Sequence, residues 1–519
     1  MSALKQMIAD DYLKIAEGFE VVQKSCTDIL KELINGIEKI DFKLLAFADY
    51  GTSIKRLAEI EAELKKADNE ILVAEADMIT KKLNGLKLQK KHYLVDCIGQ
   101  LIKVAENNNW GLCKKDNVIF LYNGEYWEEV SKEAFQFFLG SVAFKMGVNK
   151  YDAKIHTFKE ELYKQFLAEG FLESPKIDKN NILINLQNGT FDINGKSKIL
   201  REFRREDFLT HQLPFEYNPE AEAPIFLKYL NEVLPDTDKQ KVLAEFIGYV
   251  FTKGLKLERA LVLYGTGANG KSVFFEVLNA LLGSDNISNF AIESLTTDNN
   301  YSRAKINNKL VNYTSEMNGR IDANTFKQLV SVEPIQARLP YGEPFTIIDY
   351  AKLIFNCNEL PKDTEHTHAY FRRFLIIGFD ETIPEAQQDK TLHTKIIDNE
   401  LSGIFNWVLE GLDRLLENNT GVKSEGFTKC EAVDKARLDY EKMTDSAMLF
   451  IEEYNYKKSL EYFTLIKSLY PDYKMFCLDN GFLPLNVTNF IKRLQKDKIH
   501  TKRNSVGNVA YLIKEEQSF

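Results

Sequence analysis

Cysteine is scarce in this 519-residue chain, and what there is of it is scattered. Cys26, Cys97, Cys113, Cys357, Cys430 and Cys477 stand far apart, and no pair has Cys-x-x-Cys spacing. That excludes a zinc ribbon and a disulfide framework as the organising device, and it suits a reducing cytosol. No apolar run approaches a membrane span, and the stretch Met1 to Asp10 has no apolar signal core. The expectation is a cytoplasmic protein with no membrane partner. Positive charge is also short: 67 Lys and Arg face 76 Asp and Glu, a formal net charge of −9. A bulk polycation is excluded, so any nucleic-acid binding would depend on local basic patches. The remainder is ordinary for a soluble globular protein, with 44% hydrophobic and 28% charged residues. The length suggests about three or four domains.

One stretch organises the rest. Leu261-Val-Leu-Tyr264 runs straight into Gly265-Thr266-Gly267-Ala268-Asn269-Gly270-Lys271-Ser272-Val273, and Val277, Leu278, Leu281 and Leu282 continue at helical spacing. The pattern is strand, loop, helix, and Gly265 to Ser272 fits G-x-x-x-x-G-K-[ST]. A triphosphate is a dense anion, and wrapping it takes several inward-pointing backbone N–H groups. Glycines at 265, 267 and 270 permit that backbone and its close approach. The following helix adds its N-terminal dipole. Lys271 is expected to reach the β- and γ-phosphates of ATP, with the Ser272 hydroxyl on Mg²⁺. A chance glycine turn before a helix is the bland alternative, and the strand-loop-helix context argues against it.

Three further apolar strands follow, at 309–316, 352–358 and 374–380, alternating with helices. A mostly parallel sheet is implied, with ligands at its carboxyl edge. Glu316 closes the first of these strands, where an acid can polarise the attacking water and stand beside Mg²⁺. Taken alone, such an acid is usually a helix cap. Asn358 closes the second and could hold that water or the γ-phosphate through its amide. Between them, Ile335 to Ile348 reads as two alternating runs about Pro340-Tyr341-Gly342-Glu343-Pro344, a protruding hairpin. Arg338 on phosphate and Tyr341 stacked on a base would let it track a nucleic acid; a plain surface hairpin is the alternative. Arg372 and Arg373 precede the last strand, where an arginine could be offered to a neighbouring subunit's γ-phosphate or could merely solvate a strand start.

The flanking segments set the domain plan. Residues 1–104 read as helical, with Leu57, Ile60, Leu64, Ala67, Ile71, Ala74 and Met78 in heptad spacing; a helical hairpin or bundle is favoured over an intermolecular coiled coil. Residues 105–222 read as an α+β domain, with Asn-Gly turns at 123–124 and 188–189 and a turn-rich linker near Pro214 to Pro224. Residues 223–430 hold the phosphate loop. Residues 440–519 read as helices at 445–456, 460–470 and 486–496 followed by a β-hairpin, in the order of a winged helix. Lys492, Arg493, Lys502 and Arg503 make this the most basic short segment of an acidic chain. That supports duplex binding over a merely solvated lysine face. No metal cluster or acidic pair of the kind primer synthesis needs is visible in 1–104.

Taken in order, these motifs resemble the superfamily 3 helicases, AAA+ motors of viruses and small mobile elements. They are closest to the branch of phage, plasmid and poxvirus primase-helicases. Gly265 to Ser272 is similar to that branch's phosphate loop, Leu310 to Glu316 to its acidic strand, and Leu353 to Pro361 to its sensor strand. Lys327 to Ile347 is similar to its DNA hairpin, which adds Lys327 to the DNA-binding candidates. Phe371-Arg-Arg-Phe374 resembles the arginine-finger segment, with Arg373 first and Arg372 kept open. The resemblance covers about 110–519 and extends to replication initiators of staphylococcal islands and cassettes. It implies a multidomain fold: a helical N-terminal region, an α+β middle domain, an α/β AAA+ P-loop motor and a C-terminal winged helix. It implies an ATP hydrolase acting as a homo-hexameric DNA helicase, with single-stranded DNA in the channel and duplex origin DNA on the winged helix. Two departures stand out: Ser315 occupies the place of a second acid, and the hairpin tip lacks the usual lysines. A primase-helicase with an unrecognised primase part, and an ATP-switched DNA-binding regulator, are the alternatives.

Overall fold

A computed structural model describes residues 26–67, 69–107, 111–115, 118–169, 181–195, 197–317, 321–340, 342–361, 367–420 and 425–515. The part of the helical region before residue 26 lies outside the described residues. Beyond it the chain is helical as expected, but the heptad stripe is broken. Helix Tyr50–Leu64 ends, and Asn69 caps the next helix, Glu70–Gly85, by accepting N–H bonds from Ile71 and Leu72. The two helices pack as an antiparallel hairpin. Arg56 clamps Glu75 with two bonds of 2.9 and 3.0 Å, and Lys82 pairs with Asp49 at 3.3 Å. Ile71 and Met78, two members of the stripe, face solvent.

Core packing redraws the expected boundaries. Helix Lys90–Asn107 shares one core with helices Lys132–Met146 and His156–Glu169 and with the sheet Leu112–Lys115, Val118–Tyr122 and Trp127–Val130, through Leu101, Leu112, Phe135 and Phe166. Residue 104 is therefore inside a packed unit. A second core runs from Ile182 to Val433 without a gap at 222. The expected linker is a packed strap. Leu213, Phe215 and Tyr217 are buried, the rings of Phe215 and Tyr217 stand edge-on to Phe405 at 5.6 and 5.9 Å, and Asn188 bonds both the N–H and the carbonyl of Tyr217. The prolines set turns there, yet the apolar residues between them alternate and so present one face for burial.

Helices α1 (Pro224–Val233) and α2 (Thr237–Val250) lead into strand β1 (Ala260–Tyr264), helix α3 (Lys271–Leu282) and strands β2 (Ile287–Ser288), β3 (Val311–Thr314), β4 (Lys352–Cys357) and β5 (Phe374–Gly378). The sheet order is β5-β1-β4-β3-β2, parallel throughout. Leu261 and Leu263 enter the core that holds α2 and α4 (Leu392–Asn418), while Ala260 and Val262 enter the core on the opposite face. Both faces are covered, which explains why these strands read as unbroken apolar runs. The sheet order places β4 between the loop strand β1 and the acidic strand β3. A crevice therefore opens at the carboxyl edge where connections diverge.

After helix α5 (Glu431–Met443) comes a third core built from Phe450, Leu469, Tyr473 and Phe490. Its helices are Ser446–Glu453, Ile466–Asp479 and α6 (Val487–Lys496), so the expected helix at 460–470 begins later and runs further. Thr464–Leu465, Gly507–Ala510 and Thr501–Asn504 form a small antiparallel sheet, with the 501–510 hairpin projecting as a wing-like ribbon.

Candidate active site

The loop between β1 and α3 is shaped by contacts that leave no room for a side chain. A Cβ on Gly265 would lie 2.5 Å from the Phe379 carbonyl oxygen, and one on Gly270 would lie 2.6 Å from Val233 Cγ1. Gly270 also has φ of 84°, the left-handed region that glycine enters without strain. The loop is fastened from three sides. The Asn269 amide donates to the Phe379 carbonyl at 3.0 Å, the Tyr229 hydroxyl donates to the Gly270 carbonyl at 2.8 Å, and the Ile383 N–H donates to the Ala268 carbonyl at 2.8 Å. Helix α1, which supplies Tyr229, is itself held by Glu400 of α4. The Glu400 carboxylate accepts the N–H groups of Ile225 and Phe226 at 2.9 and 2.8 Å.

Lys271 is the buried charge of the site. Its ammonium folds back into the loop and donates to the Gly265 carbonyl at 2.6 Å and to the Asn269 side-chain oxygen at 2.9 Å. Burial lowers its pKa from the ordinary lysine value. Two neutral oxygens of the loop itself thus hold the cation. An incoming phosphate would offer charged oxygens in their place.

A cavity of about 1150 Å³ opens above the loop. Gly267 to Val273, Ser315, Glu316, Asn356 and Asn358 line it on the sheet side, and α1 and the start of α4 line it opposite. Lys271, Ser272, Glu316 and Asn358, picked out from separate motifs, therefore meet on one space. Gly265 and Thr266 form the turn beneath it. The fit to a triphosphate rests on the close loop packing that Gly265 and Gly270 permit and on the buried ammonium beside the cavity. A hydroxyl and a carboxylate are oxygen donors suited to Mg²⁺, which takes one or two protein ligands and completes its shell with phosphate and water. Among the described residues no group of three or more His, Cys, Asp or Glu could form an all-protein metal cage.

The two arginines, Arg373 named first and Arg372 kept open, have different surroundings. Arg373, the first choice, is buried: Nη2 donates to Ser331 Oγ at 3.0 Å, Nη1 to the Ala369 carbonyl, and Glu258 stands 3.2 Å away. It is a structural tie beneath β5. Arg372 keeps about half of its side chain exposed and touches Glu258 at 3.1 Å. Both lie at the amino edge of the sheet, opposite the glycine loop. A five-residue strand separates the edges by roughly 17 Å, so neither guanidinium lines the cavity of its own chain.

The DNA-binding candidates also separate. Strands Ile335–Ala337 and Phe345–Ile347 form the expected hairpin. At its tip, Arg338 donates to the Gly342 carbonyl at 2.8 Å and so braces the turn; Tyr341 lies outside the described residues. Lys327 is half-buried on the helix Ala323–Val330 that precedes the hairpin. Sequence reasoning missed Arg303, which is buried and donates to the carbonyls of Thr297 and Gln336, anchoring one hairpin strand. It belongs to no motif, and a lone arginine in the short helix Tyr301–Lys305 carries no sequence signal of burial. Farther on, Lys492 is exposed on α6, and Lys502 and Arg503 are exposed on the wing-like ribbon. Arg493 is a correction: it is buried and pairs with Asp445 at 3.4 Å, because it falls on the face of α6 that carries Phe490 and Leu494 inward.

Two family descriptions match the chain, "D5 N terminal like" over residues 94–235 and a family of unknown function, DUF5906, over 263–373. The chain is 25% identical over 325 residues to the "Putative helicase L207/L206" of Acanthamoeba polyphaga mimivirus, covering 57% of this chain and 33% of that protein. It is 24% identical over 326 residues to the "Putative helicase 121R" of Invertebrate iridescent virus 3, with 56% and 34% covered. It is 22% identical over 324 residues to the "Putative primase C962R" of African swine fever virus, with 57% and 33% covered. The match spans about a third of the length of these curated relatives. Among solved structures, the apo C-terminal region of NrS-1 aligns at 12% identity and TM-score 0.44, covering 79% of this chain and 98% of that one. The chain is thus similar to helicase- and primase-named proteins of large DNA viruses. No helix among the described residues is long and apolar enough to cross a membrane.

Proposed function

We propose that this chain is an ATP-dependent DNA helicase that works as a homo-hexameric ring and starts replication of a mobile genetic element. The observation that carries the reading is the meeting of Lys271, Ser272, Glu316 and Asn358 on one cavity at the carboxyl edge of a parallel sheet. In this reading Lys271 leaves its two oxygen acceptors for the β- and γ-phosphates, Ser272 and Glu316 hold Mg²⁺, Glu316 polarises the attacking water and Asn358 orients it. Bound Mg²⁺ supplies charge neutralisation on the phosphates. Arg372, half exposed and on the far edge of the sheet, suits a finger offered to the next subunit's ATP. That geometry favours hydrolysis between protomers over a self-contained site. The hairpin braced by Arg303 and Arg338 would move along a single strand in the channel. Lys492, Lys502 and Arg503 would hold duplex DNA from the third core, read as a winged helix, in the cytoplasm of the host.

ATP turnover stimulated by single-stranded DNA, unwinding of a forked substrate, and the particle mass with a nonhydrolysable ATP analogue test this together. Turnover without strand displacement would favour the ATP-switched regulator. A primase-helicase remains the second reading because one relative carries a primase name. A labelled-nucleotide primer assay separates it from the first, and no primer product is expected.

A further inference from the structure

At the amino edge of the sheet, opposite the phosphate loop, a second and smaller pocket lies under the base of the hairpin. It holds about 90 Å³, room for several waters or one tetrahedral oxyanion. Lys115 enters it from the first core, His211 from the strap, Lys253 from the turn after α2, Lys309 from the lead into β3, and Asp349 and Lys352 from the lead into β4. These residues are far apart in sequence and no motif joins them.

Their charges do not balance. Four ammonium groups share the pocket with one carboxylate. Asp349 is paired with Lys253 at 2.8 Å. Lys352 is buried with its ammonium 4.4 Å above the Tyr249 ring, that of Lys115 lies 5.0 Å over the Phe208 ring, and Lys309 donates to the Asp285 carbonyl, so each of the three has a neutral partner. Crowding like charges at a buried site is unfavourable unless an anion joins them. The buried state is already felt: burial brings the Lys352 pKa down to about 8, and burial together with Lys253 brings that of His211 down to about 3. Independently, His211 is 5% exposed and its Nε2 has no hydrogen-bond partner. A neutral imidazole carrying its proton there would be a donor waiting for an acceptor. A cationic pocket with an unspent donor matches a phosphate, and Asp349 sets how tightly one is held.

We infer that Lys115, His211, Lys253, Lys309 and Lys352 form a binding site for a phosphate group, distinct from the nucleotide loop and joined to the base of the hairpin. Occupancy would tie the first core, through Lys115, to the segment 348–350 that carries the hairpin strand Phe345–Ile347. The phosphate belongs either to a nucleic-acid backbone passing the hairpin or to a free phosphorylated ligand. The inference does not rest on the helicase reading, since it concerns binding at the other edge of the sheet.

The test uses the full chain carrying Lys271→Ala, which weakens phosphate binding at the loop. Thermal unfolding is followed in sodium phosphate and in sodium chloride at equal ionic strength. Phosphate is expected to raise the unfolding temperature saturably above chloride. Lys309→Gln, at the half-exposed rim, should reduce that shift at least about threefold, and adding Lys352→Met should remove it. Asp349→Asn should enlarge it, because an anion no longer meets a carboxylate. Equal behaviour in the two salts, survival of the shift in the double variant, or a smaller shift in Asp349→Asn would each overturn the site. Binding of a single-stranded oligonucleotide then identifies the source. A salt slope reduced by about one or two in the double variant assigns the phosphate to the nucleic acid; an unchanged slope with lost inorganic phosphate binding assigns it to a free ligand.

Discussion

The two edges of the central sheet are built on opposite plans. At the carboxyl edge the decisive groups sit in one short contiguous loop, Gly265 to Ser272, joined by the ends of β3 and β4. At the amino edge the decisive groups come from positions 115, 211, 253, 309, 349 and 352, drawn together only by folding. A contiguous loop carries its chemistry in its spacing, because backbone N–H groups a few residues apart can wrap one anion wherever the loop is placed. A pocket assembled from distant segments has no such signature. The same contrast separates Arg372 from Arg373, adjacent in the chain and opposite in fate.

The largest effect expected from breaking the first plan is at Lys271. Lys271→Ala removes the one ammonium buried in the loop, and ATP turnover measured by phosphate release should fall at least about a hundredfold. Duplex binding by the third core should stay near the parent value. Retained strand displacement in that variant would defeat the motor reading.

The arginine pair sharpens the comparison next. Arg372→Ala should lower DNA-stimulated turnover by about 10³ with little change in unfolding temperature, as befits an exposed finger acting on a neighbour. In mixing experiments, Arg372→Ala subunits with intact loops should regain turnover when combined with Lys271→Ala subunits that retain the finger. Arg373→Ala should do the reverse. It strips bonds from Ser331 and Ala369 and leaves Glu258 with one fewer cation, at a cost of about 2–4 kcal/mol in chemical denaturation. Equal turnover loss at unchanged stability in both variants would collapse the distinction.

The smallest effects belong to the third core. Joint replacement of Lys502 and Arg503 by alanine should weaken duplex binding at low salt and reduce the slope of log affinity against log salt by about one to two. Arg493→Ala should leave that slope in place while lowering stability, since its guanidinium faces Asp445 in the interior. If Arg493→Ala flattens the salt slope as much as the ribbon variant does, the assignment of faces on α6 is wrong.

That Lys271, Ser272, Glu316 and Asn358 lie at one edge of a sheet is legible in the sequence. The loop and the strands that lead to Glu316 and Asn358 read as apolar runs followed by polar residues, and such runs persist because a parallel sheet is buried on both faces. The domain boundaries were not legible at 104 and 222. Pro214, Pro219 and Pro224 mark turns, and a turn reads the same whether it crosses solvent or is strapped over Phe405. The start of the helix Ile466–Asp479 was also displaced, because Thr464 and Leu465 pair with Ala510 and Val509 of a strand distant in sequence.

Taken by itself, the amino-acid order determined the glycine loop at 265–272, the parallel strands around it, the hairpin between β3 and β4 and the basic character of the C-terminal segment. Each depends on neighbours within a few residues, where covalent geometry and side-chain periodicity act directly. Tertiary structure alone decided that Arg373 and Arg493 are interior ties, that Arg372 looks outward at the far edge of the sheet, and that lysines from four separate segments share a pocket with His211. Those outcomes depend on which surfaces exclude water from a charge, and that is settled by the packing of segments far apart along the chain.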